Sequence, residues 1–275
     1  MSDSSAEINK GTRFAFGENW SHFLDVLDEN RIQEAETSLQ TMLKLDRLDG
    51  LTFLDVGCGS GLFSLAAWRL GAKVYSFDYD PQSVATTSEM RRRYCSQKDL
   101  WHIETGSVLD TNYLRQLGQF DIVYSWGVLH HTGNMWQAMD NVTSLIVPGG
   151  RLFIALYNDQ EYISQFWLNI KKFYCSGNIG QLTVKFAFFP VFALAGLLSD
   201  ILRKKNPISR YTEYRKNRGM SLKYDWIDWL GGYPYEVAKP ESVFDFYYER
   251  GFNLIKLSTR QSLGCNEFVF LRNME

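Results

Sequence analysis

Short, nearly continuous apolar runs at 51–56, 73–77, 100–104, 120–125 and 151–157 set the rhythm of this chain. Runs this short and this unbroken predict strands buried on both faces. Between the first two the spacing changes to three and four, predicting a helix over 61–70 that Gly71 ends. Asp80-Pro81 predicts another helix start, with Asp as the cap and Pro in the first turn. Ahead of the first run, 19–45 reads as one helix with Ile32, Ala35, Leu39, Met42 and Leu43 on a common face, closed off by Gly50. Residues 1–11 are polar and read as a loose tail. Strands alternating with helices predict a doubly wound α/β architecture, a parallel sheet covered on both faces.

The pattern changes after the fifth run. A helix over 239–250 opens at Pro240 and closes at Gly251, and strands at 254–260 and 268–272 follow, separated by the turn-like Leu263-Gly264-Cys265-Asn266. That makes seven strands. Residues 159–238 are too long for an ordinary connection and predict an inserted subdomain. The chain therefore divides into a tail and helical cap (1–50), a core (51–158), the insertion (159–238), and a closing helix with the final two strands (239–275). In the insertion, Tyr162, Phe166, Ile170, Phe173 and Tyr174 fall on one helix face. No charge occurs over 186–198, which Lys185 and Arg203-Lys204-Lys205 flank. That run falls short of the ~17–20 residues needed to cross a bilayer. It reads either as a buried lid helix or, over 186–202, as a peripheral element at the membrane surface. The aromatics of 224–235 lie beside Gly231-Gly232, a hinge candidate for a lid over an apolar acceptor.

Composition narrows the function classes. Of 275 residues, 45% are hydrophobic and 22% charged, and 29 basic residues nearly balance 31 acidic ones. A chain without basic excess is a poor candidate for nucleic acid, and the short clusters Arg91-Arg92-Arg93 and Arg203-Lys204-Lys205 read as solvated helix faces. The cysteines Cys58, Cys95, Cys175 and Cys265 are far apart, so neither a metal site nor a disulfide framework is expected. With no apolar leader at the start, the expected location is cytoplasmic.

The first strand runs into Asp55-Val56-Gly57-Cys58-Gly59-Ser60-Gly61, a strand-to-helix turn where glycines allow close backbone approach to a ligand. A dinucleotide fingerprint would need glycine at position 62, which is Leu62, and this counts against NAD. The second strand ends at Asp78, whose carboxylate can accept from both hydroxyls of a ribose.

Residues 51–158 resemble the core of the class I, Rossmann-like S-adenosylmethionine-dependent methyltransferases. Asp55 to Gly61 is similar to that family's first motif and Asp78 to its ribose acid. Gly106-Ser107-Val108 is similar to the adenine turn, Phe120-Asp121-Ile122-Val123 to the fourth strand, and Val147-Pro148-Gly149-Gly150-Arg151-Leu152 to the start of the fifth. The resemblance implies a seven-stranded sheet with an antiparallel last strand and a site for S-adenosyl-L-methionine. The implied cofactor residues are Asp55, Gly57, Cys58, Gly59, Gly61, Asp78, Tyr79, Ser107, Val108, Ser125 and Trp126. Ser107 departs from the pattern, since many relatives have Asp there, and the backbone of Val108 would carry more of the adenine recognition.

At the mouth of the sheet, Tyr124-Ser125-Trp126-Gly127-Val128-Leu129-His130-His131 resembles the small-molecule O-methyltransferases of the ubiquinone-biosynthesis type. His131 and His130 are the catalytic candidates, as bases for a hydroxyl acceptor. The expected acceptor is a phenol, a polyprenyl phenol or a sugar. The alternatives are thiol or amine methylation and a non-catalytic S-adenosylmethionine-binding protein.

Overall fold

The computed structural model describes residues 4–25, 27–96, 100–203, 206 and 222–274. Helices α1 (Ser4–Asn9), α2 (Phe16–Ser21) and α3 (Glu29–Leu43) precede the first strand. The alternating part runs β1 (Thr52–Val56), α4 (Leu62–Arg69), β2 (Lys73–Asp78), α5 (Pro81–Tyr94), β3 (Trp101–Thr105), α6 (Thr111–Leu117), β4 (Phe120–Trp126), α7 (Met135–Thr143) and β5 (Ile146–Tyr157). Helices α8 (Tyr162–Cys175), α9 (Asn178–Leu202) and α10 (Leu222–Gly231) fall within 159–238, followed by α11 (Pro240–Tyr248), β6 (Phe252–Ser258) and β7 (Cys265–Arg272).

The sheet order is β3-β2-β1-β4-β5-β7-β6. Strands β1 to β5 pair in parallel, and β7 lies antiparallel between β5 and β6. Every central strand alternates between two cores, as a period of two requires. Leu54, Val56, Val123, Leu152, Ile154, Phe268 and Phe270 pack under α7 and α11. Phe53, Ile122, Tyr124, Phe153 and Val269 pack under α3, α4 and α5. The chain reverses its direction of winding between β1 and β4, and ligands of open α/β sheets bind at such a crevice.

Several sequence expectations need correction. The single helix over 19–45 is two, because the Asp28 carboxylate accepts from the Arg31 amide at 3.0 Å and starts α3 afresh. The tail is not loose: α1 lies within it, with Ser4 buried. Cys265 and Asn266 belong to β7, with Asn266 bonded to Asn158 at 3.1 Å. Gly231 is a close-packing point, since a Cβ there would lie 2.4 Å from the Phe14 ring. The stripe assigned to α8 is split: Tyr174 is buried, whereas Tyr162, Phe166 and Phe173 are exposed.

The largest correction concerns α9. Gly177 at φ 133° precedes a helix of 25 residues, longer than the charge-free run implied and apolar enough to cross a membrane by length and composition. It is also not a buried lid, because only Gly180, Val184 and Asp200 are buried in it.

Candidate functional site

A cavity of about 980 Å³ opens over the carboxyl ends of β1, β2 and β4. Pockets for drug-sized ligands run to roughly 300–1,000 Å³, and this one lies at the top of that range. Its wall includes Asp55, Gly57, Cys58, Gly59, Asp78, Tyr79, Ser107, Val108, Trp126 and His131 from the sequence-derived set.

The floor is the turn after β1. Gly57 (φ 83°) and Gly59 (φ 54°) are left-handed, and a Cβ on Gly57 would sit 2.5 Å from the Val128 methyls. The amides of Gly57 and Cys58 both donate to the Phe77 carbonyl, at 2.8 and 3.1 Å, which ties the turn to the end of β2. Asp78 stands at that end. Its Oδ2 accepts from the Gly59 amide and its Oδ1 from the Asp80 amide, each at 2.9 Å. A carboxylate has about four acceptor positions, so one remains on each oxygen. Burial pushes the Asp78 carboxyl up to about 6, against the two amides, which hold it down.

Asp55 faces inward instead. Its carboxylate accepts from Ser64 at 2.5 Å, Ser64 meets Ser76 at 2.7 Å, and the Trp101 indole donates to Ser76 at 2.8 Å. Burial pushes Asp55 up to about 7. The Ser107 hydroxyl accepts from the Leu109 amide at 3.2 Å, and the Val108 carbonyl accepts from Asn141 at 2.8 Å.

Three expected residues do not reach the wall. Ser125 is fully buried and donates to the Val56 carbonyl at 3.0 Å. Gly61 caps α4, and a Cβ there would meet Thr87 at 2.9 Å. His130 lies behind the cavity, its ring centroid 4.0 Å from Tyr157 and 4.4 Å from His131. Its Nδ1 accepts from the Tyr157 amide at 3.3 Å, so the proton sits on a buried Nε2.

His131 does line the cavity. Its Nδ1 lies 2.6 Å from the Pro234 carbonyl, an acceptor, so Nδ1 carries the proton and Nε2 is the acceptor nitrogen. Burial pushes its pKa down to about 3, helped by the positive charges of Lys171 and Arg13 and opposed by the bond to Pro234. At neutral pH the imidazole is uncharged.

One wall was not foreseen. The N-terminal segment roofs the cavity with Glu7, Arg13, Phe14, Phe16 and Trp20. It is stitched down by Gly17 to Asp80 (2.9 Å), Tyr79 to Glu7 (3.0 Å), Arg13 to the His131 carbonyl (3.1 Å), and Phe14 to the Tyr233 carbonyl (2.8 Å). The cluster Arg13-Phe14-Ala15-Phe16, aromatic within a polar stretch, was the available signal. On the far side Tyr157, Trp226, Trp229 and Leu263 close an aromatic and apolar end.

Sheet order, turn and strand-end acid together define a class I methyltransferase fold. Comparison with known proteins agrees. Residues 54–152 match the methyltransferase-domain family. The ubiquinone biosynthesis O-methyltransferase of Brucella melitensis is 34% identical over 112 residues, covering 40% of this chain and 43% of that protein. Its mitochondrial counterpart from Dictyostelium discoideum is 33% identical over 127 residues, covering 42% and 39%. The chain thus spans about two fifths of the length of these curated relatives. Among solved structures, magnesium protoporphyrin IX methyltransferase from Synechocystis PCC 6803 with bound SAH superposes with a TM-score of 0.52 at 16% identity, covering 88% of this chain and 83% of that one.

Proposed function

We propose that this protein binds S-adenosylmethionine and methylates a hydroxyl on a small or lipid-like acceptor. The observation that carries the reading is one continuous cavity with two chemically different ends. The Gly57–Gly59 floor with Asp78 suits a nucleoside, and the His131 end with Tyr157, Trp226 and Trp229 suits an apolar ring. The residues fit the cofactor: the left-handed glycines let the turn pass close beneath the cavity-lining Val128 and Trp20, where a Cβ would clash, and Asp78 keeps one acceptor position per oxygen for two ribose hydroxyls. Bound S-adenosylmethionine would supply a methyl group on a positively charged sulfur, ready for direct displacement.

His131 then accepts the proton of the acceptor hydroxyl at Nε2, and magnitude decides when. A phenol at ~10 and an imidazole at about 3 differ by several units, on the order of 10 kcal/mol for full transfer beforehand. Proton removal ahead of methyl transfer is therefore too costly. His131 takes the proton as the new bond forms and the hydroxyl becomes strongly acidic, while the aromatic walls exclude water and align the acceptor. Transfer of labelled methyl from S-adenosylmethionine to acceptors in a lipid and metabolite extract, read by mass spectrometry, tests the reading. A labelled phenol or alcohol ether is expected. Cofactor binding without any transfer would leave a non-catalytic binder, and a labelled thioether or amine would reassign the acceptor atom.

A further inference from the structure

An amphipathic helix on a soluble protein turns its polar side outward, and α9 is inverted. Its outward face runs through Ile179, Leu182, Phe186, Val191, Leu194, Leu198 and Leu202, with Phe186 83% and Leu194 56% exposed. The only hydroxyl on it, that of Thr183, is already bonded to the Ile179 carbonyl at 2.8 Å. Asp200, the one acid of the helix, is turned inward and 4% exposed. At ~1.5 Å per residue the stripe is roughly 37 Å long. Tyr162, Ile163, Phe166 and Phe173 of α8 add further exposed apolar surface.

We propose that α9, with the outward residues of α8, seats this protein on an anionic lipid surface. Two observations favour lipid over a second copy of the chain. Protein interfaces carry hydrogen bonds at roughly one per 100–200 Å² and a polar rim, and this stripe offers none. A fluid acyl layer asks for no hydrogen bonds. Basic side chains border the patch, Lys172 exposed on α8 and Arg203 after the C-terminus of α9, and the acid at its edge, Glu161, is paired with Lys239 at 3.0 Å. Anionic headgroups complement that arrangement.

The helix lies flat and does not cross. Its inner face is committed to the protein, with Phe188 against Trp167 at 5.4 Å and Phe189 and Phe192 against Trp226 at 5.4 and 5.6 Å. A crossing helix would abandon those contacts. Trp226 lines the cavity, so the seated surface adjoins the apolar end of the site, where a lipid-like acceptor would arrive. The seating itself does not depend on the reaction proposed above.

Co-sedimentation of the full chain with vesicles of phosphatidylcholine and phosphatidylglycerol tests it. Binding is expected at low salt, weaker on pure phosphatidylcholine and weaker at high salt. Phe186→Ser with Leu194→Ser should cut vesicle binding at least tenfold while circular dichroism and the thermal transition stay unchanged. Phe188→Ser, which faces inward, should instead lower the thermal transition. Wild type that stays in the supernatant at low salt overturns the proposal. So does a dimer in light scattering that the double substitution dissolves without any vesicle binding. Protection of the segment after residue 203 from external protease, by sealed vesicles, would overturn the flat seat.

Discussion

Replacing Asp78 by Asn keeps the size of the side chain and removes its charge. In the wild type both oxygens already hold backbone amides of Gly59 and Asp80 at 2.9 Å. The amide substitute has one oxygen, so its NH₂ must face one of those N–H groups, donor against donor. The floor of the site loses one fixing bond, and a ribose hydroxyl loses its charged acceptor. Hydrogen bonds to charged groups contribute about 1.5–3 kcal/mol and neutral ones about 1, so the expected loss of S-adenosylmethionine affinity is about 2–3 kcal/mol, or roughly 30- to 150-fold. Calorimetric titration at pH 8 measures it. The wild type carries an independent signature: the carboxyl is pushed up to about 6, and a protonated Asp78 no longer accepts from both hydroxyls. Affinity should therefore fall as pH drops through about 6 and be flat above 7, and in Asp78→Asn this slope should vanish. An affinity within threefold of wild type, or an unchanged pH slope in the variant, would refute the ribose role.

His131→Ala should lower kcat by about 10²-fold or more with cofactor affinity intact, and wild-type kcat at saturating cofactor should be flat from pH 6 to 8 because His131 stays neutral down to about 3. An acid limb near 6.5 that His131→Gln abolishes would contradict this. His130→Ala, outside the cavity, should reduce stability while kcat of the folded enzyme stays within tenfold of wild type. Asp55 is pushed up to about 7, so the folded state holds a proton that the unfolded chain releases above ~4, and stability declines from pH ~4 to ~7. Asp55→Asn should accordingly stabilise the fold by about 2–3 kcal/mol more at pH 8 than at pH 5 in urea titrations, and equal effects at both pH values would dispose of the buried-charge argument. Both oxygens of Glu236 face the Met135 amide at the start of α7, at 3.1 and 3.0 Å, so Glu236→Ala should lower the thermal transition by about 2–4 °C through loss of a cap near 1 kcal/mol. An unchanged transition would show that solvent serves that helix end equally well.

The buried sheet was legible because its strands are read by local pattern. Leu54 and Val56 face one core and Phe53 the other, and a nearly continuous apolar run is the direct record of that. The turn after β1 was legible for the same reason: its demand for left-handed backbone is met locally by glycine. The roof was not, since Trp20 meets Gly59 and Arg13 meets His131 only through tertiary contact, which leaves no periodic trace. Ser125 misled because strand-end position does not tell which face a side chain takes, and here it satisfies the Val56 carbonyl. The length of α9 was underestimated because charge was used as the boundary. Lys185 sits within the helix, its ammonium 5.4 Å from the Tyr174 ring, and does not end it.

The antiparallel strand has a consequence for how the chain is made. Tyr157 of β5 pairs with Cys265 of β7, about a hundred residues further on, and Val269 and Phe270 complete both cores. During synthesis the parallel half and the whole of α9 emerge before the strand that seals β5 exists. For that interval the nascent chain presents an unpaired sheet edge and an uncovered apolar helix together, the two features most prone to wrong association. A lipid surface within reach of the emerging chain would shelter α9 while β5 waits for β7, so yield on synthesis without vesicles should be limited by aggregation more than by the stability of the finished fold.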